Sequence, residues 1–463
     1  MQTKSLYLYN TATQRKELFV PQNPPAVSLY VCGITVYDEC HLGHGRVFIV
    51  FDVLLRILQG LGYKVKYVRN ITDIDDKIIL RAEQEQVTWS EIATRYTQSM
   101  QEVFDKFGLA KPDIEPKATD YMEQMFDLIQ KLIAKDLAYA LPCGDVYYAT
   151  EKFTGYGLLG HQNLEDLKVG ARVALNTEKR SPLDFVLWKS SKPNEPSWTS
   201  PWGQGRPGWH TECAAMTRDL LGESLDIHGG GGDLCFPHHE NERAQCEGVS
   251  GKPFVRQWMH VGFVQVDDQK MSKSLGNFHT LRDLMHLQDP EVLRYFLIST
   301  HYRSPLPFRL EALGQARQSL NTLYLALRDV PPTTAMQHLP QEAAFFGALY
   351  DDLNTPLALT VLFEICHQVY HFKKTHPEKA AHYSATLKLW GSMLGILQQD
   401  PTGFLQSFVS SDRQKEIQTL VEAREQARQQ REYAKADSIR QQLLAEGILL
   451  EDTPEGTLWR QSE

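Results

Sequence analysis

No apolar run in this sequence reaches the roughly 20 residues needed to span a bilayer. The opening stretch, MQTKSLYLYN, is polar and lacks the apolar core of a secretory signal. Both absences make the cytoplasm the expected compartment. Cysteine is sparse: seven residues, Cys32, Cys40, Cys143, Cys213, Cys235, Cys246 and Cys366, lie far apart along the chain. An odd, scattered set excludes the framework of a small disulfide-stapled domain and leaves free thiols or metal ligands. Positive charge is not in excess, since the formal net charge is −9. That excludes a uniformly basic nucleic-acid binder but not a local basic stripe. Internal repeats and low-complexity tracts are absent as well.

What is present is an ordinary globular composition, 42% hydrophobic and 23% charged. At 463 residues the chain is too long for one core and suggests about three domains. AVSLYVCGI (26–34) reads as a buried strand. GRVFIVFDVLLRILQGLG (45–62) reads as a helix apolar nearly all round, with a glycine stop, and YKVKYVR (63–69) as a second strand. Strand, helix, strand predicts a βαβ unit and a parallel sheet. Residues 91–140 and 311–400 read as helical, the latter interrupted by a loop at 329–341. Short strands and turns are expected over 145–190, and one last helix over about 413–446.

Several motifs carry chemistry. HLGH (His41, Leu42, Gly43, His44) falls between the first strand and the buried helix. A helix N-terminus with two imidazoles and a glycine suits a phosphate, and the alternative is a pair of surface histidines beside a cap. KMSKS (Lys270, Met271, Ser272, Lys273, Ser274) offers two lysines and two hydroxyls that can clamp a triphosphate, or else is a solvated loop. Gly229–Gly232 followed by Asp233 would let an adenosine approach the backbone while a carboxylate takes its ribose hydroxyls. His238 and Glu242, i and i+4, would share a helical face and could serve a metal that also recruited distant thiols. Cys235 and His239 sit beside that pair and Cys40 beside HLGH, as possible substitutes. Asp73, Asp75 and Asp76 could bind a metal or simply open a helix. Near the end, Arg424, Arg428, Arg431 and Lys435 fall on one stripe of a continuous helix, suited to an RNA backbone or to a solvated face. Trp459 could stack on an unpaired base.

HLGH and KMSKS together resemble the HIGH and KMSKS motifs of class I aminoacyl-tRNA synthetases, with Leu42 in place of isoleucine. YVCGITVYDECHLGHGR (30–46), NITDIDDKI (70–78), PWGQGRPGWHTECAAM (201–216) and GGGGDLCFPHHENERAQ (229–245) narrow the likeness to cysteinyl-tRNA synthetases, and it runs to the final TLWR. The resemblance implies zinc on Cys32, Cys213, His238 and Glu242, and a cysteine pocket lined by Gly33, Thr72, Trp209 and His228. It implies ATP on His41, Gly43, His44, Asp233, Lys270, Ser272, Lys273 and Ser274, with magnesium on the pyrophosphate, and catalysis by His41, His44, Lys270 and Lys273. The expected partners are ATP, L-cysteine and tRNA-Cys, and the expected state a monomer. Zinc takes a thiolate far more readily than an alcohol, which would reject serine without editing.

The fold expected is α/β, a Rossmann-like parallel-sheet catalytic domain over 1–120 and 201–265 split by an insertion at 121–200. A stem-contacting segment with KMSKS (266–310), a helical bundle (311–400) and a small anticodon-recognising domain (401–463) would follow. A ligase joining cysteine to an amino sugar shares the resemblance in the core, but the helical and basic region beyond residue 311 argues against it. A zinc hydrolase built on His41 and His44 would leave KMSKS unexplained, and a non-catalytic paralogue would not need both motifs intact.

Overall fold

β1 (Ala26–Thr35), α1 (Leu42–Gly60) and β2 (Lys64–Thr72) form the expected βαβ unit, β1 and β2 pairing in parallel. In this computed structural model, residues 5–162, 179–266, 269–270, 279–334, 338–407, 409–453 and 456–461 are described. β1 is buried along nearly its whole length, as a strand covered on both faces must be. Helix α1 likewise buries most of its circumference, including Phe48, Ile49, Phe51 and Leu54.

The second half of the sheet comes from far along the chain. α2 (Trp209–Leu221), β3 (Leu225–Gly231), α3 (Glu240–Ser250) and β4 (Val255–Val261) add two more parallel strands, in the order β4-β3-β1-β2. Between the halves in sequence lies a five-stranded antiparallel sheet, in the order 138–140, 146–148, 185–190, 203–207, 198–200. Because β1 and β3 are neighbours whose connections run outward in opposite directions, their carboxyl ends flank a crevice, the usual ligand position in an open α/β sheet. That crevice holds Cys32 and Gly33 on β1 and His228 on β3.

The chain divides into two compact units. The first comprises residues 1–282, 300–308 and 347–355 and contains the parallel sheet. The second comprises 283–299, 309–346 and 356–463 and is mainly helical, with long helices Leu310–Asp329, Thr355–Phe372 and Pro377–Met393. Its last part is a small lobe: α4 (Ser411–Gln429), α5 (Tyr433–Ala445) and a hairpin of β5 (Ile448–Thr453) and β6 (Gly456–Gln461). Ile417, Val421, Leu443, Ile448 and Trp459 form its core. The one helix expected over 413–446 is therefore two. Arg431 takes φ +64° in the turn between them, and with neither glycine nor proline there the sequence carried no stop signal. No helix among the described residues is long and apolar enough to cross a membrane.

Candidate metal centre and nucleotide site

Cys32 closes the unbroken buried run 29–32 of β1, Cys213 lies in the second turn of α2, and His238 and Glu242 lead into and open α3. All four side chains are buried, and one ligand atom from each lies within 4.8 Å of the others. Cys32 Sγ donates to Glu242 Oε1 at 3.4 Å, and His238 Nε2 lies 3.0 Å from the same oxygen. A tetrahedral zinc with bonds of about 2.0–2.3 Å needs ligand atoms roughly 3.3–3.8 Å apart, so little movement would close the set. Two thiols, an imidazole and a carboxylate are also donors zinc accepts. A second set, Cys32, His228, His239 and Glu242, meets the same 4.8 Å limit and shares two members with the first.

The donors are already electrostatically sorted. The hydrogen bond from Cys32 pulls the Cys213 thiol down to about 6. Burial pushes Cys32 well above the ordinary thiol value, so a metal would displace that proton. Burial would disfavour charge on His238, but Glu242 and Cys213 outweigh it and push the imidazole up to about 10. Against burial, His228 and His238 hold Glu242 well below the usual carboxylate range.

Around the set lies a layer of imidazoles that spacing did not reveal. His210 Nδ1 is 2.9 Å from His238 Nδ1, and His239 Nε2 is 3.3 Å from Cys32 Sγ. His239 Nδ1 then meets His260 Nε2 at 2.8 Å, and His260 Nδ1 meets Thr11 Oγ1 at 2.8 Å. Such bonds orient ligands and fix tautomers. Cys235, a possible substitute, turns its sulfur to the Leu159 carbonyl at 3.7 Å, and Cys40 is buried outside both sets. The hint available beforehand was the density of histidine over 210–260.

Of the residues expected to line a cysteine pocket, Gly33 directly follows Cys32, and His228 Nε2 lies 3.3 Å from Glu242 Oε2. A Cβ on Gly33 would fall 1.6 Å from the Asn70 carbonyl oxygen, so only glycine lets β1 and β2 approach here. Thr72, buried, accepts from Asn70 Nδ2 at 3.2 Å. Trp209 packs on His238 with ring centroids 4.2 Å apart, and His228 stacks on Tyr30 at 5.1 Å. A cleft of about 570 Å³ opens beside Trp209 and Glu212, with Asp76, Lys189 and Arg206 also in its lining. Asp75 caps the helix Asp76–Glu85 through the Lys77 N–H, and Asp73 accepts from Thr119, which is the structural rather than the metal-binding reading of these acids.

HLGH sits at the N-terminus of α1. His41 is the cap residue, its Nδ1 accepting from the His44 N–H at 3.3 Å, while His44 Nδ1 accepts from the His41 N–H at 3.3 Å. Gly43 lies half-buried in the first turn of α1, between the Leu42 N–H, which donates to the His279 carbonyl, and the His44 N–H, which donates to His41. Asp233 follows β3 in a short turn, and a Cβ on Gly229 would fall 2.0 Å from Phe51 Cζ, so α1 packs closely on this strand. Gln269–Lys270 pairs with the strand Val264–Val266, and after the KMSKS segment His279–Leu281 bonds to Cys40 and Leu42. Both flanks of KMSKS are thus tied to the first unit, one of them beside HLGH. The Lys270 side chain, Ser272, Lys273 and Ser274 lie outside the described residues.

The basic stripe near the end is redistributed. Arg424 shares the core face of α4 with Ile417 and Val421, is 4% exposed, and pairs with Asp452 at 2.7 and 3.0 Å. Arg428 also reaches Asp452, at 2.8 Å. Arg431 and Lys435 remain exposed. Trp459 is 3% exposed in the lobe's core and presents no ring face to solvent, whereas Tyr433, at the start of α5, is 62% exposed.

Residues 18–318 match the family described as the tRNA synthetases class I (C) catalytic domain, 344–398 a DALR domain, and 410–460 the cysteinyl-tRNA ligase anticodon binding domain. The chain is 51% identical over 457 residues to a cysteine--tRNA ligase of Legionella pneumophila, covering 98% of this chain and 99% of the relative. It is 48% identical over 468 residues to one of Nitrosomonas europaea, with 98% and 99% covered. Among solved structures, a Mycobacterium tuberculosis methionyl-tRNA synthetase with methionyl-adenylate superposes with TM-score 0.55 at 14% identity, covering 86% of this chain and 94% of that one. At that identity the likeness speaks for the fold alone, a class I synthetase core.

Proposed function

The chain belongs to the cysteinyl-tRNA ligase family of class I aminoacyl-tRNA synthetases, and on that footing we propose how its residues divide the work. It is an enzyme that ligates L-cysteine to tRNA-Cys at the expense of ATP. A cysteine carboxylate oxygen bonds to the α-phosphorus of ATP and diphosphate leaves. A hydroxyl of the terminal tRNA ribose then attacks the activated carbonyl and AMP leaves. No covalent enzyme intermediate is required, so positioning and electrostatics carry the rate.

Cys32, Cys213, His238 and Glu242 would hold zinc, in preference to the set with His228 and His239, because two thiolates make the softer, more zinc-selective site. Bound there, zinc supplies a soft Lewis acid that favours a thiolate over a hydroxyl. Gly33, Thr72, Trp209 and His228 would line the cysteine pocket beside it. His41 and His44 donate to the phosphates from the N-terminus of α1, with Gly43 allowing their approach. Lys270, Ser272, Lys273 and Ser274 complete the clamp, with Asp233 on the ribose and magnesium accompanying ATP. Arg428, Arg431 and Lys435 meet the tRNA backbone, and Tyr433 takes the stacking role first assigned to Trp459. Arg424 acts from behind, by fixing the hairpin that carries Asp452. The enzyme works as a monomer in the cytoplasm, where its free thiols suit the reducing conditions.

The observation that carries this reading is the convergence of two thiols, an imidazole and a carboxylate at the carboxyl ends of β1 and β3, on the same sheet edge as HLGH. Charging of tRNA-Cys with labelled cysteine, with serine as control and before and after zinc removal, tests it. Charging of cysteine alone, lost with zinc and restored by it, is expected. Full charging by metal-free enzyme would overturn the zinc assignment.

A further inference from the structure

Glu212 lies in the first turn of α2, is 1% exposed and lines the cleft beside the metal set. Its Oε2 has no hydrogen-bond partner among the described residues. A buried carboxylate with an unused oxygen is costly unless a cation or donor reaches it. The cleft's lysines and arginine are directed elsewhere: Lys189 Nζ lies 3.0 Å from Asp76 Oδ2, Arg206 pairs with the same carboxylate, and Lys179 Nζ lies over the Tyr147 ring, 5.3 Å from its centroid. Burial first, and then the neighbouring acids Cys213, Asp75 and Asp73, hold the Glu212 carboxyl group well above the usual carboxylate range, and a cation brought beside it would offset both.

The surroundings also fix which cation fits. Glu212 is three residues after Trp209, on the same face of α2, and directly precedes Cys213. Thr72, the last residue of β2, hydrogen-bonds its carboxyl group. Three covalent bonds separate sulfur from nitrogen in cysteine, a span of about 3–4 Å. A cysteine whose sulfur is drawn to the Cys213 centre, and whose body lies in the cleft that Glu212 and Trp209 line, would turn its ammonium group toward this carboxyl group. We propose that Glu212 receives the α-ammonium group of the substrate cysteine, a specificity contact that rests on the reading of the site given above. The metal selects the thiol, and Glu212 selects an amino acid over a simple thiol.

Two truncated ligands test this by calorimetry on the zinc-loaded enzyme. Cysteamine keeps the ammonium and lacks the carboxylate, while 3-mercaptopropionate has the reverse pattern. Glu212→Gln is expected to weaken cysteamine about 10- to 100-fold and leave 3-mercaptopropionate unchanged, with wild-type zinc content. Equal weakening of both ligands, or none of cysteamine, would overturn the proposal. Should Glu212→Gln not fold or not retain zinc, Glu212→Asp is measured instead. It keeps the charge but withdraws it, and should weaken cysteamine selectively; an unchanged ratio of the two affinities again overturns the assignment. Cys213→Ser in the same series separates the two levels of inference. If it abolishes binding of both thiols while Glu212→Gln is indifferent, only the Glu212 assignment falls. If it leaves both thiols bound, the reading of the site falls and takes Glu212 with it.

Discussion

The rings of His41 and His44 stack with centroids 3.5 Å apart, each accepting the other's backbone N–H at the N-terminus of α1. The two side chains thus form a reciprocal cap of the kind usually built from a hydroxyl and a carboxylate. Capping and phosphate binding can be separated at this position, because asparagine caps well but has no imidazole. His41→Asn should keep the thermal stability of the parent while cysteine-dependent pyrophosphate exchange falls about 100-fold. Exchange at the parental rate would return His41 to a purely helix-capping role.

Removing one donor from the proposed zinc set leaves the other three without a common partner. Cys213→Ser should reduce bound zinc, measured by atomic absorption, and raise the KM for cysteine at least 10-fold with little change in the KM for ATP. A variant with stoichiometric zinc and the parental KM would shift the assignment to the alternative set containing His228 and His239.

Arg424 and Arg431 separate the structural and RNA-facing parts of the basic stripe. Arg424→Ala removes a buried guanidinium from Asp452 and should destabilise the C-terminal lobe by about 2 kcal/mol, seen as an earlier thermal transition. Replacing Arg431 and Lys435 should leave that transition in place, weaken tRNA binding and lower the slope of its salt dependence by about 1 per charge removed. Identical salt slopes before and after would place both residues on a solvated face.

Asp452 gives the same lobe a pH limit. Its hydrogen bond to Arg424, more than the other charges nearby, holds its carboxyl well below the usual value. A depressed folded-state value means the stabilisation is complete above the unfolded carboxylate value of about 4 and fades as pH falls below it. The lobe should hold its melting temperature from neutrality to about pH 4 and lose it below, and Asp452→Asn should flatten that decline. An equally steep acid transition in the variant would assign the loss to other carboxylates.

Tyr433 and Trp459 should respond oppositely to truncation. Tyr433→Ala should weaken tRNA binding by about 1–3 kcal/mol with pyrophosphate exchange unchanged. Trp459→Ala opens the lobe's core and should cost about 3–5 kcal/mol of its stability. Equal loss of tRNA affinity at constant stability in both variants would contradict the assignment.

The βαβ unit was legible because periodicity and composition are local: apolar residues on every side of 45–58 demand burial on every side. HLGH could be placed at the start of a helix for the same reason, and the i, i+4 pairing of His238 with Glu242 follows from helical spacing. Family likeness named Cys32 and Cys213 as partners of that pair, but no spacing could, since nearly two hundred residues separate their strand and helix. Their meeting depends on β1 and β3 becoming neighbours in the sheet. Arg424 shows the converse: its spacing matches a solvated stripe, and only Asp452, delivered by the hairpin 28 residues later, makes its burial tolerable. The burial of Trp459 was decided in the same way, by its packing with Ile417 and Val421, residues distant in sequence. Local pattern determined which segments form and which faces they bury. The tertiary structure decided which side chains keep a free valence for a ligand, because that depends on whether a partner arrives from elsewhere in the chain.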